Sequence, residues 1–114
     1  CLPASALVAR VAALRARIDA RMAEPGLAPG DIAREAGISE RRLRALLAAQ
    51  GEGFAAYLLR RRLQHCADWL RDARWQQVSI TQIAFRAGFN NATHFGHAFR
   101  QRFGMTPRDW RTRG

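Results

Sequence analysis

Lysine is absent from these 114 residues, and all 19 basic side chains are arginine. Acid is scarce as well: nine Asp and Glu leave a formal net charge of +10 and a sequence pI near 11.7. The missing lysine carries little by itself, because a GC-rich genome favours codons for arginine and for alanine, which supplies 22 positions. Such a genome supplies Asp and Glu just as readily. The shortage of acid is therefore the informative absence, and a negatively charged partner is the expectation. Cysteine occurs twice, at Cys1 and Cys66, far apart and without paired spacing. That excludes a disulfide framework and a zinc knuckle and points to a reducing compartment. No run approaches the ~18 apolar residues of a membrane span, and four arginines are scattered through the first 30 residues, so neither a signal peptide nor an anchor is read there. The length excludes a catalytic barrel and fits one compact domain or two very small ones sharing a core. Opening on Cys1 in place of Met, the chain is expected to be a piece of a longer protein.

The pattern that is present is helical periodicity. Over residues 4 to 24, Leu7, Val11, Leu14, Ile18 and Met22 recur at intervals of four, three, four and four, which is one stripe of a helix, with Arg10, Arg15, Arg17 and Arg21 away from it. Pro25-Gly26 stops that helix. A short helix is predicted from Asp31 to Ala36, closed by Gly37. Ser39 reads as the N-cap of a third, with Leu43, Leu46 and Leu47 buried, ending near Gln50-Gly51. The longest helix runs from Phe54 to about Asp72, with Leu59, Leu63, Cys66, Ala67 and Leu70 on its inner side, and Trp75 to Val78 reads as a loop. Ser79 caps a fifth helix through Ala87. Asn90 or Asn91 caps a sixth carrying Phe95, Phe99 and Phe103, and Thr106-Pro107 starts the last, which holds Trp110. The expectation is an all-α fold of about seven helices joined by short loops.

One unit occurs twice. Residues 32 to 38, Ile-Ala-Arg-Glu-Ala-Gly-Ile, return as residues 83 to 89, Ile-Ala-Phe-Arg-Ala-Gly-Phe. Four positions are identical and Ile38/Phe89 is conservative. A small residue (Ala33, Ala84) lets two helices approach, glycine four positions later (Gly37, Gly88) permits the positive φ of a sharp turn, and a hydrophobe anchors the second helix. That is the logic of a helix-turn-helix. Leu43 falls six residues after the first glycine and Phe95 seven after the second, so the second turn holds one extra residue.

With Ser39, Leu43, Arg62-Leu63, Leu70, Ile80 to Phe89, Phe95, Phe99-Arg100, Phe103-Gly104 and Thr106-Pro107, the chain resembles the C-terminal DNA-binding domain of AraC/XylS-type bacterial transcription regulators over nearly all of residues 27 to 112. The resemblance implies two helix-turn-helix units joined by a long linker helix, each laying its second helix in a major groove. The expected division is an N-terminal helix over 1–26 leading from an upstream domain, a first unit over 27–53, a linker helix over 54–74 and a second unit with the C-terminal helix over 75–114. A linker of about 19 residues at ~1.5 Å each reaches roughly 28 Å, close to the ~34 Å between successive major-groove openings.

On the first recognition helix, Arg41, Arg44, Ala45 and Ala48 share the face opposite the leucines. The resemblance places Arg41 and Arg44 where the family reads bases, and arginine donates two bonds to guanine O6 and N7. Ala45 stands where some relatives carry a long polar reader; its methyl is placed to meet a thymine methyl or nothing. On the second helix Thr93, His94 and His97 are the expected base readers, His97 departing from the arginine often found there. Ser39, Arg42, Asn91 and Arg100 are the expected phosphate contacts, the first and third through the amide ends of the two helices. His94 and His97 are three apart, but no Cys, Asp or Glu lies near in sequence, so no metal is expected, nor any cofactor. Trp69, Trp75 and Trp110 suit core packing better than base stacking.

The function these residues imply is sequence-specific binding of double-stranded promoter DNA and regulation of transcription, activation being the sense that the resemblance suggests. The competing reading is a non-specific basic nucleic-acid-binding protein, which shows salt-sensitive binding with little preference. An enzyme is not expected: Cys66 has no zinc-ligand company, and no phosphate-cradling loop, acid pair or Ser/His/Asp set is present. Nor is a membrane-surface role, since the stripe of the first helix is accounted for by packing. RNA polymerase is the second expected partner, with dimerisation assigned to the upstream domain, this fragment monomeric, and location in the bacterial cytoplasm and on its nucleoid.

Overall fold

The structure of the chain, a computed structural model, describes residues 4–113. Cys1 lies outside the described residues. Among those residues there are seven α-helices, one 3₁₀ turn and no strand: α1 (Ala4–Arg21), α2 (Pro29–Ala36), α3 (Glu40–Ala49), α4 (Phe54–Leu70), the 3₁₀ turn Ala73–Trp75, α5 (Ile80–Arg86), α6 (Ala92–Phe103) and α7 (Pro107–Arg113). The all-α fold expected from the periodicity is the fold observed.

Three boundaries differ from the sequence reading by two residues or more, each for a local reason. α1 ends at Arg21 instead of running to 24, because Pro25 disfavours helix at the residue before it. α2 starts at Pro29, not Asp31. Proline is pre-organised for the first helical position, and the Asp31 carboxylate reaches back to accept the Ala28 N–H at 3.0 Å. α4 ends at Leu70, two residues early, because Asp72 caps the next turn: its Oδ1 accepts the Arg74 N–H at 2.9 Å. The Arg74 side chain also hydrogen-bonds Asp72, at 2.7 Å to Oδ2, and holds that carboxyl below its ordinary pKa. The segment read as a loop from Trp75 thus begins with the end of a 3₁₀ turn.

The chain divides into two compact units. The first comprises residues up to Met22 and Gly26–Leu59, and its core is the α1 stripe (Val11, Leu14, Ile18, Met22) set against Ile32 and Ala33 of α2, Leu43, Leu46 and Leu47 of α3, and Phe54, Tyr57 and Leu58 of α4. Polar bonds fix α1 from outside that core. Arg17 and Arg21 both reach Glu35 of α2, at 3.0 and 3.6 Å, and the Tyr57 hydroxyl donates to Asp19 at 2.8 Å.

The second unit comprises Ala23–Pro25 and the chain from Arg60 onward. Leu63, Cys66, Ala67 and Leu70 of α4, Ile83, Ala84 and Ala87 around α5, and Phe89, Phe95 and Phe99 are buried in it. The rings run as a chain of edge and tilted contacts from Phe89 through Phe95 and Phe99 to Phe103 and Trp110. Trp69 and Trp75 stack almost parallel, 4.4 Å between centroids. All three tryptophans are half-buried, packing against neighbouring rings at the edge of the core and not within it as expected. Arg62, from the arginine run on α4, donates to the Glu24 carbonyl at 2.7 Å, and partial burial lowers its pKa.

Candidate nucleic-acid interface

The repeated Ala-x-x-x-Gly-hydrophobe closes both helical turns with the same pair of hydrogen bonds. The Ile38 N–H donates to the Ala33 carbonyl and the Phe89 N–H to the Ala84 carbonyl, each at 3.0 Å. Inside those bonds, Gly37 donates to Arg34 and Gly88 to Phe85. This is a Schellman closure, which needs a left-handed residue after the helix; Gly37 has φ 74° and Gly88 φ 105°. The glycine thus serves the end of the first helix, and the buried alanine supplies both a small surface and the accepting carbonyl.

After each closure the chain enters a capped helix. Ser39 Oγ accepts the Arg42 N–H at 3.1 Å, and Asn91 Oδ1 accepts the His94 N–H at 2.9 Å. From glycine to cap is two residues in the first copy and three in the second, so the extra turn residue lies before Asn91, which settles the cap choice between Asn90 and Asn91. Leu43, Leu46 and Leu47 bury one face of α3; Phe95 and Phe99 bury one face of α6.

The opposite faces are open to solvent. Arg41, Arg42, Arg44 and Ala45 on α3, Thr93, His94, His97 and Arg100 on α6, and the caps Ser39 and Asn91 are all exposed. On α3, Ser39, Arg41, Arg42, Ala45, Leu46 and Ala49 line an open depression of about 310 Å³. Arg44 lies outside that lining; its Nε donates to Glu40 Oε2 at 3.4 Å. On α6 the His94 ring leans toward Phe89, 6.2 Å between centroids. α6 contains no acid and ends in Arg100 and Arg102. Chemically each exposed face offers donors without catalytic company, and among the described residues no group of three His, Cys, Asp or Glu is placed to hold a metal.

Two features of the site's support escape sequence reading. Glu40 accepts from the expected base reader Arg44, although the acid-to-arginine spacing of four was available as a signal. α7 braces the approach to α5: Arg111 donates to the carbonyls of Trp75 and Val78 at 2.9 and 2.8 Å. Trp110 Nε1 donates to the Ala67 carbonyl, with the Arg71 guanidinium 3.5 Å above its ring. No local pattern marks those long-range bonds.

A family model described as a helix-turn-helix domain matches residues 32–113. The transcriptional activator RhrA of Rhizobium meliloti (strain 1021) is 33% identical over 102 residues, 90% of this chain and 32% of that protein. The HTH-type transcriptional activator RhaS of Escherichia coli O1:K1 / APEC is 42% identical over 55 residues, 48% of this chain and 19% of that protein. The chain thus spans about a third or less of these curated relatives. Among solved structures, the C-terminal domain of AraT from Geobacillus stearothermophilus shares the fold, with a TM-score of 0.82 at 23% identity over 91% of this chain and 84% of that one. A transcriptional regulator from Chromobacterium violaceum, described as an AraC-type DNA-binding domain-containing protein, has a TM-score of 0.77 at 32% identity over 87% of this chain and 86% of that one. With the duplicated closure, the two capped helices and these matches together, the chain belongs to the AraC-type helix-turn-helix family of transcription regulators.

Proposed function

We propose that this chain is the DNA-reading part of a bacterial transcription activator, binding double-stranded promoter DNA sequence-specifically through α3 and α6 in successive major grooves. The observation that carries the reading is the duplication itself: two Schellman-closed helices, each followed by a capped helix with one buried apolar face and one exposed polar face. An α-helix fits the ~12 Å width of the major groove, and base edges there are read by the side-chain types on these faces. Arg41, Arg44, Ala45, Thr93, His94 and His97 read bases; Ser39, Arg42, Asn91 and Arg100 hold phosphates. α4 contributes residues to both units, which suits a linker between two readers. The chain performs no catalysis in this reading. It acts on the nucleoid, in the cytoplasm, by presenting a surface to RNA polymerase, and an upstream domain supplies dimerisation.

Selection of bound sequences from a random duplex library at about 150 mM salt tests this directly, because salt sets the non-specific background. The expected result is an enriched site with two conserved blocks about 10 base pairs apart. Arg41→Ala or Arg44→Ala is expected to weaken binding to that site by roughly 1–3 kcal/mol and to relax preference at one base pair. Recovery of no consensus, with binding that only weakens as salt rises, supports the non-specific binder instead.

A further inference from the structure

The two arginines expected to read bases from α3 are held differently. Among the described residues, Arg41 has no ion-pair partner, whereas Arg44 donates from Nε to Glu40 Oε2 at 3.4 Å. Glu40 is the first residue of α3, and acid four residues before arginine is the favourable order for such a pair. The other carboxylate oxygen, Oε1, lies over Gly30 of α2, where a Cβ would stand only 3.1 Å away. A side chain at position 30 would ask that oxygen to shift by only a few tenths of an ångström. The carboxylate thus lies close to Gly30 and holds Arg44 on the exposed side of the helix. A guanidinium carries five N–H donors. With Nε engaged, the terminal Nη1 and Nη2 edge remains for a two-acceptor partner such as guanine O6 and N7.

We infer that Glu40 is a specificity-determining positioning residue: it turns the terminal edge of Arg44 toward a base and keeps that arginine off the phosphate backbone. The inference rests on the proposed reading of DNA by α3. Its second half derives from charge. A carboxylate at the protein–DNA surface repels phosphate, and an arginine already paired to it releases fewer counterions on non-target DNA. Glu40 therefore lowers general affinity while sharpening choice at one base pair. A side chain that merely stabilised α3 would act on every sequence alike.

The test compares Glu40→Ala, Glu40→Gln and Arg44→Ala with the unaltered protein, on the selected DNA site, on the same site altered at each base pair, and on unrelated duplex. Glu40→Ala is expected to bind unrelated duplex about threefold more tightly, with a salt slope steeper by about one. It is also expected to lose about fivefold in preference at the base pair that Arg44→Ala flattens, in keeping with the strength of an exposed ion pair. Glu40→Gln keeps an acceptor for Nε without the charge, so it retains the preference while still gaining affinity for unrelated duplex. In the Arg44→Ala background, Glu40→Ala changes nothing further at that pair. A uniform loss of affinity on all sequences in Glu40→Ala, with the Arg44 base pair still preferred, overturns the inference and leaves Glu40 a helix-end stabiliser. A preference lost at a different base pair overturns it too, because Glu40 then reads a base itself. If Arg44→Ala flattens no base pair, the inference falls together with the reading of Arg44 on which it rests.

Discussion

Cys66 lies fully buried on α4 with its Sγ 3.9 Å from the Ile83 carbonyl, and burial pushes its thiol up from 9.0 to about 12. The folded chain therefore keeps a proton that the unfolded chain gives up near pH 9. Where the unfolded state binds fewer protons, stability falls as pH rises. The contribution is intact below about pH 9 and is lost progressively from there toward 12, at up to ~1.4 kcal/mol per pH unit. Urea titrations from pH 8 to 11 are expected to show this slope and to show a shallower one in Cys66→Ala. Alkylation of Cys66 is expected only in denaturant. The packing role of this residue was legible from its position on an apolar helical stripe. Nothing comparable announced Arg111, whose two accepting carbonyls lie 36 and 33 residues earlier and come together only in the folded unit.

At the level of elements, the N-caps carry the first turns of α3 and α6, which hold Arg41 in one copy and His94 in the other. Removing a Ser or Asn cap costs about 1 kcal/mol, since one exposed amide loses its partner. Ser39→Ala and Asn91→Ala are each expected to lower the thermal midpoint, while Asn91→Asp, which keeps the acceptor, restores most of the loss. Scanning calorimetry of the three variants checks this. Helices α1, α3, α4 and α6 were readable because each is ten residues or longer and turns its apolar side chains inward at helical spacing, although on α4 Tyr57 and Leu58 are buried where Leu59, half-buried, was expected. Their edges were less so. Asp31 and Asp72 each spend a carboxylate on a neighbouring backbone amide and so move a boundary by two residues. A purely apolar period does not register such a bond. The exposed faces of α3 and α6 were legible by subtraction, as the positions left over when leucines and phenylalanines turn inward. How Arg44 is held within that face was set by its acidic neighbour Glu40.

For the whole molecule, a charge of +10 supplies attraction to any duplex, and recognition is a matter of the contacts added to it. Arg42 and Arg100 are exposed, and among the described residues neither has an ion-pair partner. Arg42→Ala and Arg100→Ala are each expected to weaken binding by a similar factor on target and unrelated DNA and to reduce the salt slope by about one. Titrations at four salt concentrations on both duplexes read this, and a loss confined to the target assigns the residue to base reading instead.

The placement of tryptophan gives the molecule a built-in optical asymmetry. Trp69, Trp75 and Trp110 all belong to the second unit, and the aromatic side chains of the first are Phe54 and Tyr57. Indole emission excited at its red edge therefore reports on the second unit alone, without a label. The near-parallel Trp69–Trp75 stack lies within that unit, so its opening is read in the same emission. Backbone dichroism sums both units. Subtracting the indole melting curve from the backbone curve isolates the first unit, and coincidence of the two curves marks a chain that unfolds as one cooperative body.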